Sequence, residues 1–533
     1  MGDTTYGQID SAAAAPHPLD KRGNDRLFTS AFMLVVVLGL AYVGQALSRD
    51  LDNASQAVPW ILLGLALLIA LGFEFVNGFH DTANAVATVI YTRSMPAQAA
   101  VLWSGFFNFL GVLTSSGAVA FGIISLLPVE LILQVGSGAG MAMVFALLLA
   151  AIVWNLGTWY FGLPSSSSHT LVGSIIGVGL ANQFMAPAGS ATSGVDWSQA
   201  SSVGMSLLVS PVVGFGLAAL LLLAMKSLVR NRALYEAPGA NPPPAWIRGL
   251  LIFTCTGVSF AHGSNDGQKG MGLIMLILIG VVPTAFALNR TPGAHALENY
   301  KETAAQVEAV LGKYAKPGIT VPDPRAVVSN TVKTREWTDQ TTPALAAFIH
   351  DTRERVSPYS ADTLPRSAIS NTRNDIYMIG EVLKLVDKKH QLDVSDADMA
   401  VIKRYHDAVD NATKFIPLWV KVAVALALGL GTMVGWKRIV VTVGEKIGKT
   451  HLTYGQGASA ELVAMGTIGA ADFMGLPVST THVLSSGVAG TMAANGSGLQ
   501  WSTVRNMLLA WVLTLPASIT LAFGLFVVLR QVF

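Results

Sequence analysis

Apolar runs separated by polar turns recur along the whole chain. A helix needs about 20 apolar residues to cross a bilayer. Runs near that length or longer fall at 31–47, 59–78, 97–127, 141–161, 203–225, 249–288, 415–436, 455–474 and 506–530. Shorter apolar pieces follow Pro164 and Pro477, at 171–187 and 483–494. The pattern predicts an all-α polytopic membrane protein with roughly 10–12 spans. The stretch 249–288 is interrupted by the polar, glycine-rich string His262 to Gly270. It reads either as two spans or as one crossing broken at mid-membrane, where non-helical backbone is tolerated only inside protein.

Two motifs occur twice. Gly78-Phe79-His80-Asp81-Thr82-Ala83-Asn84-Ala85 aligns with Gly263-Ser264-Asn265-Asp266-Gly267-Gln268-Lys269-Gly270 at an offset of 185. Gly162-Leu163-Pro164-Ser165-Ser166-Ser167-Ser168-His169 aligns with Gly475-Leu476-Pro477-Val478-Ser479-Thr480-Thr481-His482 at an offset of 313. The offsets differ by 128 (313 − 185), close to the 126 residues of the polar segment 289–414. With that segment removed, both halves have nearly the same spacing. The expected organisation is a polar lead and extra span (1–58), a first membrane repeat (59–225) and a basic cytoplasmic linker (226–248). The second repeat then begins at 249–288, is interrupted by a polar soluble insertion at 289–414, and finishes at 415–533.

Charge sharpens this picture. Only 12% of the 533 residues are charged, and the insertion holds 17 of the 34 Lys+Arg and 17 of the 32 Asp+Glu. Such a chain suits lipid as its solvent, and a net charge of +2 leaves no footprint for nucleic acid. The basic patches at Arg93, Lys226 to Arg248, and Lys437 to Lys449 sit on short loops, which places all three in the cytoplasm. If 249–288 crosses once, the insertion is extracytoplasmic. The lone Cys255 allows no internal disulfide. No clear small-residue cleavage site follows 31–47, so that run is read as a retained span.

The repeated motifs carry the candidate chemistry. A carboxylate inside a span costs several kcal/mol unless paired, hydrated or protonated. Asp81 and Asp266 occupy equivalent positions, with Thr82, Asn84 and Asn265 supplying neutral oxygens. Ion or proton coupling and helix capping both fit that set. Glu74, one turn earlier, joins the coupling candidates, or else partners a buried base; Glu461 invites the same two readings. The Leu-Pro strings break apolar runs and are followed by small hydroxyls. Ser166, Ser167 and Ser168, with Ser479, Thr480 and Thr481, would then stand at fresh helix N-termini, where hydroxyls and free N–H groups bind an anion. Pro164 and Pro477 form the breaks, and His169 and His482 are expected to lock the hairpins by hydrogen bonds. No permanent metal site and no cofactor are expected.

The strings GFHDTANAVATVIYTR from Gly78, WNLGTWYFGLPSSSSHT from Trp154, AHGSNDGQKGMGL from Ala261 and MGLPVSTTHVLSSGVAGTM from Met474 resemble the PiT family of inorganic phosphate transporters, close to its bacterial low-affinity members. The resemblance covers roughly 60–530. It implies oppositely oriented repeats, two re-entrant hairpins, a homodimer and an inner-membrane location. It also implies phosphate import by cation symport, with protons in bacteria, often as a neutral divalent metal–phosphate complex, and with sodium elsewhere. His80 and Lys269 stand where many members have Asn, which leans toward protons. The alternatives are a permease of the same fold for another tetrahedral oxyanion such as sulfate or arsenate, an intramembrane Ser-His-Asp hydrolase, or a sensor without turnover.

Overall fold

Apolar stretches that must satisfy their own backbone in lipid become helices, and helices account for nearly all regular structure here. The computed structural model describes residues 19, 25–52, 60–81, 83–187, 192, 194–239, 242–291, 295–389 and 391–533. The side chains at 25–28, 52, 83–84 and 387–389 lie outside that description. The first half comprises α1 (Asp25–Asp52), α2 (Trp60–Asp81), α3 (Ala83–Tyr91), α4 (Ala97–Thr114), α5 (Ala118–Ile124), α6 (Val129–Leu133), α7 (Gly138–Tyr160), α8 (Ser167–Phe184) and α9 (Trp197–Leu228). Then come α10 (Ala245–Val281) and α11 (Pro283–Phe286). The polar segment folds as α12 (Ala296–Tyr314), α13 (Pro324–Thr334), α14 (Thr341–Val356), α15 (Arg366–Lys389) and α16 (Asp396–Thr413). The chain ends with α17 (Leu418–Thr432), α18 (Lys437–Val441), α19 (Tyr454–Phe473), α20 (Thr480–Asn495) and α21 (Trp501–Leu529).

Among the described residues six helices are long and apolar enough to span a membrane. They are α1, α2 with α3, α4, α7, α9 and α21. The sequence pattern gave more because α8, α10 and α19 are too polar and α17 and α20 too short for that standard. The polarity is concentrated where the two motifs lie.

The string His262 to Gly270 does not break its helix. It lies inside α10, which runs unbroken for 37 residues, about 55 Å at 1.5 Å per residue. The expected mid-membrane break is thus corrected to a single continuous helix. The reason is packing. A Cβ on Gly263 would lie 2.1 Å from the Asn108 carbonyl oxygen of α4, and one on Gly267 would lie 2.5 Å from the Val112 side chain. These glycines admit a neighbouring helix at backbone contact; they do not turn the chain.

The same crossing occurs a second time. A Cβ on Gly78 of α2 would lie 2.2 Å from the Leu428 carbonyl oxygen of α17, and one on Gly431 of α17 would lie 2.1 Å from the Phe75 carbonyl oxygen. On the other side, a Cβ on Gly111 of α4 would lie 2.2 Å from the Phe260 carbonyl oxygen of α10. Phe260 and Gly263 are Phe75 and Gly78 shifted by the 185 residues read from the motifs. The later helices exchange in the same manner: α8 packs on α21, and α20 packs on α9. Each half therefore closes against the other.

Two ends can be distinguished. At one, Arg248 donates to the Ser94 carbonyl at 2.7 Å, the Leu234 carbonyl meets Gly455, and Arg438 donates to the Tyr160 carbonyl at 2.5 Å. All three basic patches gather there. The insertion is joined to the far end of α10 and to the start of α17, so it occupies the opposite end. Its helices share a core through Tyr300, Val307, Leu345, Phe348, Ile379 and Tyr405, continuous with Ile277 and Phe286 of the membrane part. Arg335 bridges Asp196, ahead of α9, at 3.2 Å and the buried Glu381 at 3.6 Å. Burial pushes the Glu381 carboxyl up, but the charges of Lys384 and Arg335 outweigh it, and the group titrates below its ordinary value.

Two outcomes follow from this packing. Gly431→Val forces α2 and α17 apart and should cost about 1–3 kcal/mol. It should lower the melting temperature of the detergent-solubilised chain, and an unchanged value would show that the helices are not in contact there. Glu381→Ala takes from Lys384 its ion-pair partner and leaves Arg335 with Asp196 alone; it should cost about 1–3 kcal/mol, seen as faster proteolysis within 289–414. Because the folded carboxyl is depressed, its contribution is full above the ordinary carboxylate range and disappears as pH falls through the folded value. Protease resistance of the unmodified insertion should therefore fall only in acid.

Candidate functional site

The helix ends that make the site are built twice from one local design. Gly162 and Gly475 both have φ +67°, a left-handed conformation that glycine adopts without strain and that turns each chain out of its preceding helix. Proline follows two residues later. Ser166 then caps α8, accepting from the His169 N–H at 3.1 Å, and Ser479 caps α20, accepting from the His482 N–H at 3.1 Å. The start of α7 and the end of α8 lie toward the insertion, where Gly138 meets Phe533 and Asn182 donates to Glu130. The start of α19 and the end of α20 lie among the basic loops, where Gly455 meets Tyr235 and Met492 meets Gly448. Two helical hairpins thus enter from opposite ends, and their tips meet: Ser168 Oγ donates to the Val478 carbonyl at 2.6 Å.

Asp81, at the end of α2, lies between the tips. Ser167 Oγ donates to its Oδ2 at 2.6 Å and Thr481 Oγ1 donates to its Oδ1. His80 Nδ1 stands 3.2 Å from the same Oδ1, and its Nε2 is 3.2 Å from Thr158 Oγ1. Asp266, midway along α10, is held differently. Lys269 Nζ is 2.8 Å from its Oδ2, while Ser167 Oγ reaches that oxygen only at 3.4 Å. His262 Nε2 lies 3.5 Å from Asp266 Oδ2. Ligand atoms of Asp81, His262 and Asp266 fall within 4.8 Å of one another. All of these side chains are buried.

The sequence-derived residues divide by what they touch. Ser167 and Thr481 face the carboxylates. Ser166 and Ser479 spend their oxygens on caps, and Ser168 ties the two tips together. Thr480 Oγ1 is buried without a hydrogen-bond partner among the described residues. Asn265 faces the second hairpin, donating to the Leu476 carbonyl at 3.1 Å and accepting from the Val478 N–H at 3.4 Å. Glu74 packs against Gly270, and its carboxylate accepts from Asn77 at 3.4 Å. Thr82 and the Asn84 side chain lie outside the described residues. The Pro164 carbonyl accepts from Trp511 Nε1 at 2.9 Å and that of Pro477 from Ser206 Oγ at 3.2 Å. The rings of His169 and His482 meet at a tilt of 39° with centres 4.6 Å apart, and His482 stacks on Trp511 at 4.1 Å. Their backbone N–H groups hydrogen-bond to the caps Ser166 and Ser479, while the rings join the two tips by packing, with His169 Nδ1 and His482 Nε2 unbonded among the described residues. Glu461 accepts from Thr88 and Thr254.

Other residues of the site were not singled out from sequence. His262 precedes Asp266 by one helical turn, and that i, i+4 spacing was its available signal. Asp472 accepts from Ser264 Oγ and from Gln268 Nε2, both at 2.6 Å, pinning the second hairpin to α10. Its counterpart in the first repeat is Trp159 (472 − 313), so the repeat itself gave no hint of it.

The model of the phosphate transporter family matches residues 77–522. The low-affinity inorganic phosphate transporter PitA of Escherichia coli (strain K12) is 44% identical over 484 residues, covering 87% of this chain and 96% of that one. PitB of the same strain is 41% identical, covering 88% and 97%. A probable low-affinity inorganic phosphate transporter of Bacillus subtilis (strain 168) is 29% identical, covering 89% and 99%. A solved structure titled as the sodium-dependent phosphate transporter aligns with 20% identity and a TM-score of 0.48, over 89% of this chain and 100% of that one. These relatives are named as transporters, not enzymes. With a family model spanning most of its length, this multi-spanning membrane chain belongs to the phosphate transporter family.

Proposed function

We propose that the chain imports inorganic phosphate across the inner membrane by cation symport, with the proton as the coupling ion. The reading rests on one observation: hydroxyls from both hairpin tips converge on the single carboxylate of Asp81. An oxyanion would need those same donors, together with the N–H groups that begin α8 and α20. While Asp81 is ionised it occupies them. Protonation weakens it as an acceptor and releases Ser167 and Thr481 to the substrate, so the proton and the phosphate enter together. The inverted orientation of the repeats belongs to this reading and is supported by hairpins that enter from opposite ends. So does a cytoplasmic position for the basic end, supported by its gathered Lys and Arg. A homodimer is carried by the resemblance alone.

Lys269 favours the proton over sodium. Its ammonium already neutralises Asp266 at 2.8 Å, where a sodium ion would otherwise be needed. A divalent metal travelling with phosphate is a further part of the reading. Such an ion would take the proton's place at Asp81, where the neighbouring oxygens of Asp81 and Asp266 and the imidazole of His262 could hold it. His262 Nε2 and Asp266 Oδ1 have no hydrogen-bond partner among the described residues.

Reconstituted vesicles test this. A proton gradient should drive phosphate uptake and a sodium gradient should not; the reverse result would refute proton coupling. Sulfate and arsenate in excess identify the anion by competition. Asp81→Asn should abolish gradient-driven uptake, and Asp266→Asn should do the same. Normal uptake in both would remove the acids from the mechanism. Lys269→Asn should lower uptake driven by protons and introduce a dependence on sodium. His262→Ala should reduce uptake more with magnesium present than without it.

A further inference from the structure

Where the end of α1 meets the insertion, the structure holds a cavity of about 700 Å³. Its wall includes Arg49, Asp50, Thr284, Arg290, Asp362 and Arg366. Three guanidiniums thus face two carboxylates. Among the described residues none of the three makes an ion pair or a hydrogen bond, and Asp50 is already engaged, accepting from Trp419 Nε1 at 2.8 Å. Arg290 is half-buried. Burial lowers its pKa, Asp362 opposes that shift, and the like charge of Arg366 adds to it. Thr284 is only 5% exposed, and its hydroxyl has no hydrogen-bond partner among the described residues. Three guanidiniums around a polar hollow, with Arg49 and Arg366 exposed and Arg290 half-buried, and an unsatisfied hydroxyl in the wall, fit an anion with several acceptor oxygens.

The placement narrows the class. The span Thr29–Leu51 exposes apolar side chains such as Leu34, Leu38 and Leu40 and ends at this cavity. Arg49 and Asp50 therefore stand where an apolar span gives way to headgroups. The cavity also lies at the insertion end of the molecule, opposite the gathered basic loops. We propose that it is a second binding site for a phosphate group, built by Arg49, Arg290, Arg366 and Thr284 and separate from the hairpin tips. The group arrives either as the headgroup of an anionic lipid or as free inorganic phosphate.

Two binding measurements on the purified full-length chain decide it. After delipidation, retention of added phosphatidylglycerol is read by native mass spectrometry. In parallel, radiolabelled inorganic phosphate is titrated and the sites per chain are counted. The unmodified chain should hold one phosphate group more than the Arg290→Gln/Arg366→Gln variant, with affinity falling about tenfold per arginine. Thr284→Val, which keeps every charge, should weaken the same arm by a smaller factor. Lys313→Gln, on the exposed face of the insertion, should change nothing. A loss confined to the lipid arm identifies a headgroup, and one confined to the phosphate arm identifies the free anion. Equal binding by the unmodified chain and a double variant of native melting temperature would overturn the proposal. An equal loss in Lys313→Gln would also overturn it, since a diffuse positive field would then suffice. All these chains share the same hairpin tips, so the outcome is independent of the transport reading.

Discussion

A carboxylate in the interior of a membrane protein must be given partners, and the architecture is organised around meeting that need for Asp81. No single element supplies them. Ser167 comes from a hairpin entering at the insertion end and Thr481 from one entering at the basic end, and both reach the same acid. For the tips to meet there, each hairpin must be held deeply, and the exchange of contacts between halves does this: α8 lies on α21, and α20 lies on α9. Backbone-to-backbone crossings at Gly78 with Gly431 and at Gly111 with Gly263 bring the acid-bearing helices into register with the tips. The continuous α10 carries Asp266 through the middle of the molecule as a rigid rod.

Most of this was legible in the residues because duplication writes the same message twice. Asp81 with Asp266, and the two Leu-Pro strings with their hydroxyls, could be paired by offset alone, and the structure brings all four motifs to one place. The polar insertion was visible in its charge. The failure was equally physical. A glycine-rich, polar string inside an apolar run has two solutions, a broken helix or a helix with a smooth face for a neighbour. Sequence does not distinguish them without knowledge of the neighbour, α4. Residues present in only one repeat were also out of reach: Asp472 answers Ser264 and Gln268 across the fold, and nothing local announces that. The histidines show a third limit. Their positions after the hydroxyls suggested hydrogen bonds, but the packing of their rings on each other and of His482 on Trp511 depends on tertiary neighbours more than 300 residues away in sequence from His169.

The departures from symmetry bear most directly on mechanism. By the two offsets, Ser167 corresponds to Thr480, Ser168 to Thr481, and Asn84 to Lys269. A symmetric site would give Asp266 the bond that Asp81 receives from Thr481, but donated by Ser168. That bond is absent. Ser168 donates to the Val478 carbonyl, Thr480 keeps an unsatisfied hydroxyl, and Asp266 is taken by the Lys269 ammonium at 2.8 Å. A full charge at that distance outcompetes a hydroxyl dipole in a buried setting. One lysine therefore redistributes three side chains. It also separates the two acids by role: Asp266 carries a permanent countercharge, whereas Asp81 is held by hydroxyls and the His80 ring. On the proposed reading Asp81 is the acid that takes the proton. The repeated motifs place two acids at equivalent positions, and the lysine on one helix face gives them different partners.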